Sequence, residues 1–185
     1  MQELYQAVRA GDHAKVKALV DADPKLAIFA AAVAGDEADT EALLAANRSL
    51  AAAVGADGWT PLHLAAHFAK TGVVRILLNK GAAVNTRSSN ALANTALHAA
   101  AAGRAAEVGK LLIDHGADVN AQQNGGWTAL HAAAQSGDLT FAHLLMEAGA
   151  DVNARAANQQ RPLDLALTKG HQAMVEFLES HGAAL

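Results

Sequence analysis

Cysteine is missing from all 185 residues, so neither a disulfide framework nor a thiolate metal site can form, and nothing argues for an oxidising compartment. Aromatic residues supply only 4% of a chain that is 52% hydrophobic. Alanine carries much of that apolar fraction, which points to a core of many thin contacts. Long apolar runs are missing too: no stretch approaches the roughly 18 residues of a membrane span. Met1 to Val20 alternates charged and apolar residues as an amphipathic helix pair does, and a signal peptide does not. No export signal is therefore expected, and the sequon Asn47-Arg48-Ser49 is expected to mean little. Net charge is −4, with lysines and arginines scattered singly. A nucleic-acid surface would call for a clustered basic stripe, so neither nucleic acid nor an acidic membrane is expected as a partner, and a cytoplasmic location is.

Catalytic patterns are equally scarce. The few serines and threonines sit in turns or caps, and no His-Glu-x-x-His, glycine-rich phosphate loop or carboxylate pair occurs. Gly125-Gly126 is a doublet in a connecting segment. Glu37, Asp39 and Glu41 beside Asp36 read as a solvated helix face. The expectation is a non-enzyme without a cofactor.

What the chain does have is repetition. Thr60-Pro61-Leu62-His63 returns as Thr95-Ala96-Leu97-His98, as Thr128-Ala129-Leu130-His131 and, drifted, as Arg161-Pro162-Leu163-Asp164. The fourth positions, 63, 98, 131 and 164, lie 35, 33 and 33 residues apart. A second phrase keeps step: Gly81-Ala82-Ala83-Val84-Asn85, Gly116-Ala117-Asp118-Val119-Asn120, Gly149-Ala150-Asp151-Val152-Asn153 and a truncated Gly182-Ala183-Ala184. Two phrases locked to one period define a structural repeat. Thr60 before Pro61 is a helix start, because threonine caps free amides and proline at the first position has none to leave unpaired. Leu62, Ala65 and Ala66 then share one side of a short helix. A second helix, with Val73, Val74, Ile76, Leu77 and Leu78, stops at Gly81. The same register recurs before Gly116 and before Gly149.

These phrases resemble the ankyrin-repeat family. The resemblance implies an all-α solenoid of about six helix-turn-helix units with β-hairpin-like fingers, spread over a single domain of residues 1–185. The approximate units are 1–25, 26–57, 58–90, 91–123, 124–156 and 157–185. The first two match the helix-pair pattern more weakly and are only 24 residues apart, so Asp23-Pro24-Lys25 is expected to form a tight link in place of a finger. Ala69 and Arg104 replace the family's mid-repeat glycine. Two extra residues lengthen the finger between Asn85 and Thr95. The last unit, with Arg161 and Asp164 in place of Thr and His, is expected to cap the stack with a polar outer face. Alanine richness and the lack of flanking domains suit a small stand-alone bacterial protein of this family, working as a monomer.

Nine histidines invite a metal reading. His63, His98 and His131 hold one repeat position and would line up along the stack. The resemblance implies instead that each ties itself to the threonine of its own phrase, Thr60, Thr95 or Thr128, and to adjoining backbone. Successive units lie about a helix diameter, ~10 Å, apart, too far for one zinc ion with Zn–N bonds near 2.0–2.1 Å. His115 and His181 precede glycines that end second helices, where a polar or positive side chain suits the helix C-terminus. His13, His143 and His171 read as solvated surface.

Function is then expected on the surface that the repeat leaves free: the fingers and the exposed side of the first helices, which the resemblance implies form a concave groove for a protein partner. The candidate partner-binding residues are Asp57, Trp59, His67 and Phe68, then Asn94, then Trp127, Gln135 and Ser136. Both tryptophans immediately precede the threonine of their phrase, and exposed aromatics are enriched at binding hot spots. Two readings stay open for each tryptophan, contact with a partner or cover for its own turn. Phe68 could equally fill space beside Ala69. The functional expectation is a non-catalytic protein-interaction module. The alternatives are an accessory or inhibitor protein that occludes a specific enzyme, including a self-protection role, and a metal-binding or enzymatic protein using groove histidines.

Overall fold

The computed structural model describes residues 1–184. Twelve α-helices run through the described residues as six antiparallel pairs. They are α1 (Gln2–Ala10) with α2 (His13–Ala22), α3 (Leu26–Ala34) with α4 (Glu37–Ala46), and α5 (Pro61–His67) with α6 (Thr71–Asn79). The pairs α7 (Ala96–Ala102) with α8 (Ala106–Asp114), α9 (Ala129–Ser136) with α10 (Leu139–Glu147), and α11 (Pro162–Lys169) with α12 (Gln172–Ser180) follow. A 3-10 turn spans Arg48–Ala52. Odd-numbered helices stack on one another as an inner layer, and α4, α6, α8, α10 and α12 form the outer one. This is the all-α repeat solenoid that the resemblance implies.

Local chemistry sets the helix ends. Thr60, Thr95 and Thr128 occupy equivalent starts with extended backbone, at φ −89°, −98° and −101°. The aspartates Asp12, Asp36 and Asp138 cap α2, α4 and α10, each carboxylate accepting from the amide three residues on, at 3.0, 2.9 and 3.1 Å. Such a cap contributes about 1 kcal/mol. The junctions after α5 and α7, where the family carries glycine, put Ala69 and Arg104 at φ 55° and 56°. A side chain there costs about 1–2 kcal/mol.

The core is thin, as the composition predicts. Ala65, Ala66, Ala99, Ala100, Ala133 and Ala134 are fully buried where inner helices meet, and Leu62, Leu97, Leu130 and Leu163 repeat at one position along the seam. At Gly103 a Cβ would stand 2.1 Å from the His67 carbonyl oxygen, so α7 closes on α5 as far as backbone allows. In the outer layer Phe141 of α10 fills the space over Gly109 of α8.

The fingers contain turns, and no strand is formed among the described residues. One backbone hydrogen bond closes each: Gly55 N to Trp59 O at 2.8 Å, Ser88 N to Asn94 O at 2.7 Å, Gln123 N to Trp127 O at 2.9 Å and Ala156 N to Gln160 O at 2.9 Å. One more joins each finger to the next, from Ser89 to Gly58, Asn124 to Leu92 and Ala157 to Gly125. Asparagines fix the register at the other end of the repeat. The amides of Asn85, Asn120 and Asn153 each donate at 3.0 Å to the carbonyl of the glycine ending the next pair, Gly116, Gly149 or Gly182. Their side-chain oxygens accept from Asp118, Asp151 and Ala184 amides at 2.9, 2.8 and 3.0 Å. No such rung joins the first pair to the second or the second to the third; α1 packs on α3, and residues 23–25 carry the chain between the first two pairs.

Candidate partner-binding groove

Each repeat phrase builds a tie between two units. The Thr60 amide donates to His63 Nδ1 at 3.3 Å and its hydroxyl lies 2.8 Å from the same nitrogen. An Nδ1 that accepts the amide proton is unprotonated, so Nε2 carries the hydrogen and donates to the Asn94 carbonyl of the next finger at 2.9 Å. His98 repeats the arrangement with Thr95 and the Trp127 carbonyl at 3.0 Å, and His131 with Thr128 and the Gln160 carbonyl at 3.1 Å. All three histidines are buried, and burial pushes their pKa below the ordinary value. Both ring nitrogens of each are occupied in holding units together. In the last unit Asp164 accepts from the Arg161 amide at 2.8 Å, and the Arg161 guanidinium pairs with both carboxylate oxygens at 3.1 and 3.0 Å. That guanidinium holds the Asp164 carboxyl below the usual range.

On these ties rests an aromatic cluster. Trp59 lies half-buried over His63, ring centroids 5.9 Å apart, and meets His67 edge-on at 5.5 Å. His67 meets Phe68 at 5.0 Å, and its Nδ1 reaches the Ala99 carbonyl at 3.4 Å. Phe68 meets Tyr5 of α1 at 6.4 Å. The Tyr5 hydroxyl donates to Asp57 Oδ2 at 2.6 Å, while Asp57 Oδ1 accepts from the Trp59 amide at 3.2 Å. Burial, then the bond to Asp57 and its charge, drive the Tyr5 pKa upward. Asp57, Trp59, His67 and Phe68 thus form one continuous shelf. Tyr5 belongs to it although no repeat phrase marks that residue.

The other candidates are placed differently. Trp127 sits half-buried on its own His131 at 5.6 Å, equivalent to Trp59 but without the neighbouring aromatics. Gln135 is exposed at the end of α9, and the half-buried Ser136 donates its hydroxyl to the Ala133 carbonyl at 3.2 Å. Asn94 is a correction: only 5% exposed, it presents no free side chain to the groove. The two inserted residues let the finger fold back, so that Ser88 Oγ donates to Asn94 Oδ1 at 2.6 Å and accepts from the Asn94 amide at 3.0 Å. His171 is likewise not free surface; it is half-buried, with Nε2 3.1 Å from the Gln135 carbonyl. His143 is exposed yet stacks on Phe177 at 4.2 Å. His115 and His181 do close helix ends, through the Leu111 and Phe177 carbonyls at 2.8 and 2.7 Å.

No described helix is long and apolar enough to cross a membrane. A family model described as ankyrin repeats (3 copies) matches residues 4–88, 86–156 and 126–185. The putative ankyrin repeat protein FPV031 of Fowlpox virus (strain NVSL) is 35% identical over 130 residues, which are 68% of this chain and 38% of the viral one. The chain thus spans well under half the length of that relative. With the family model covering almost every described residue, and with Thr–His ties and asparagine rungs recurring in its period, the chain belongs to the ankyrin-repeat family, whose repeats are generally protein-interaction modules.

Proposed function

We propose that this protein is a non-catalytic interaction module that binds a partner protein through the concave side formed by its fingers and inner helices. The observation that carries this reading is the half-exposed shelf of Trp59, His67 and Phe68, edged by Asp57 and extended by Tyr5. Aromatics held by neighbouring rings lose little freedom when a partner arrives, which favours affinity. Trp127, Gln135 and Ser136 continue the surface two units further on. The module works as a monomer inside the cell, with neither nucleic acid nor membrane as its target.

The test is a pull-down from the native cell, identification of the captured protein, and titration of that protein against Trp59→Ala/Trp127→Ala. Truncating a true anchor costs about 2 kcal/mol or more, so affinity should fall at least about tenfold while the melt moves little. Unchanged affinity in the double variant would move the partner elsewhere on the chain. A collapse in stability would assign both tryptophans to covering their own turns.

A further inference from the structure

The outer layer is not continuous. α4 packs on α6, α6 on α8, α8 on α10 and α10 on α12, but α2 stands off α4. No residue of α2 is buried, and Val16, Leu19 and Val20 are only partly covered. Between the two helices lies a cleft of about 550 Å³, within the range of pockets that receive ligands. Its cause is local. The three-residue link after α2 replaces a finger, and Ala42 and Ala46 of α4, on either side of Leu43, are too small to close the gap.

The cleft has a definite shape. One wall is the stripe Val16, Lys17 and Val20 of α2, and the floor is Ala27, Ala30 and Ala34 of α3. The opposite wall is Asp39, Ala42 and Ala46 of α4. All three stripes follow helical spacing, so the trough runs parallel to the helices for about two turns, or ~10 Å. Its rim carries His13 and Lys17 on the α2 side, Lys17 in an exposed pair with Asp21 of the same helix that a partner's acid can share, and Asp36 and Asp39 on the α4 side. A straight acyl chain has no group to match two rims of opposite sign. A second copy of this chain offers no matching stripe either, since the large exposed apolar residues described, Val54, Leu92 and Leu167, are scattered singly.

We infer that this cleft is a second docking site, separate from the concave surface, for an amphipathic α-helix of a partner protein. The helix inserts bulky aliphatic side chains at i, i+3, i+4 and i+7 over the alanine floor. It places acidic residues against Lys17 and basic residues against Asp39. The apolar side chains supply what α2 and α4 lack: at the α8–α10 step the same space is filled by Phe141.

The full chain would be titrated with a fluorescein-labelled designed helix of ~18 residues, with leucines at that spacing, glutamates on one flank and lysines on the other. Saturable binding is expected, followed by anisotropy. Ala42 and Ala46 are exposed, so Ala42→Phe fills the trough without disturbing the fold, checked by circular dichroism, and should weaken binding about tenfold or more. Asp39→Lys should weaken it about threefold, as a rim charge does, and a peptide with glutamates on both flanks should recover the loss. Trp59→Ala/Trp127→Ala should bind the peptide as the parent does. No saturable binding up to millimolar peptide overturns the inference, as does equal binding by Ala42→Phe. Loss of binding in the double tryptophan variant places the peptide on the concave surface and overturns it too. Displacement by dodecanoate that is indifferent to residue 39 would make the cleft an acyl-chain site instead.

Discussion

Replacing His98 by alanine tests the central tie of the stack. In the parent its ring accepts the Thr95 amide proton at 3.3 Å and donates to the Trp127 carbonyl at 3.0 Å. The carbonyl keeps a second partner, the Gln123 amide at 2.9 Å. The Thr95 amide does not. One buried donor is orphaned, at about 1–3 kcal/mol, and a cavity the size of an imidazole adds to it, for a total of roughly 2–4 kcal/mol. For a chain of this length each kcal/mol moves the melt by about 2–4 °C, so a drop of roughly 5–15 °C is expected. The pH dependence should change as well. His98 is held neutral, its folded pKa lowered from an unfolded value near 6.5 by burial. The unfolded chain therefore binds more protons below that value. The stability this histidine contributes is complete above pH ~6.5 and is lost as pH falls toward the folded pKa. His63 and His131 share the direction. Stability measured by denaturant titration should thus fall from pH 7 to 5, and less steeply in His98→Ala. A thermally silent substitution, or an unchanged pH slope, would refute the tie.

Two further substitutions probe packing. Gly109→Ala gains helix propensity, but its Cβ would stand 2.6 Å from Cζ of the fully buried Phe141. The clash wins, with a net loss of about 1 kcal/mol in chemical denaturation, and Phe141→Leu in the same chain should recover it. Tyr5→Phe removes the bond to Asp57 while leaving the ring on Phe68. It should lower hydrogen-exchange protection in α1 by about 1 kcal/mol and leave α7 to α12 untouched; a uniform loss would show that the first pair is not a separate element.

The sequence discloses whatever is written in the repeat's own phase. Thr60, Thr95 and Thr128, their histidines and the glycine ends are legible because one chemistry recurs every 33 residues or so, and the helices follow. Asn94 misleads for the same reason. It holds the position of Trp59 and Trp127, yet two inserted residues bring Ser88 against it and turn it inward. Tyr5 leaves no trace, because its partner lies 52 residues away in a different unit and the first pair is out of phase with the rest. The short link at residues 23–25 is visible in the spacing. That it leaves α2 standing off α4 is a three-dimensional outcome that no local pattern carries.

The asparagine and histidine rungs also define how the molecule would carry load. Every rung joins a unit to its immediate successor, so tension applied at the two ends passes through the contacts in series, and the weakest junction yields before the others. The first two junctions have neither kind of rung, and of these the first, held by α1 on α3, by residues 23–25 and by the Tyr5–Asp57 bond, lacks the outer-layer packing that α4 on α6 gives the second. The later units, each released as about 33 residues of chain and therefore about 110 Å of length, would come away one at a time. A protein assembled this way behaves under force as a graded tether.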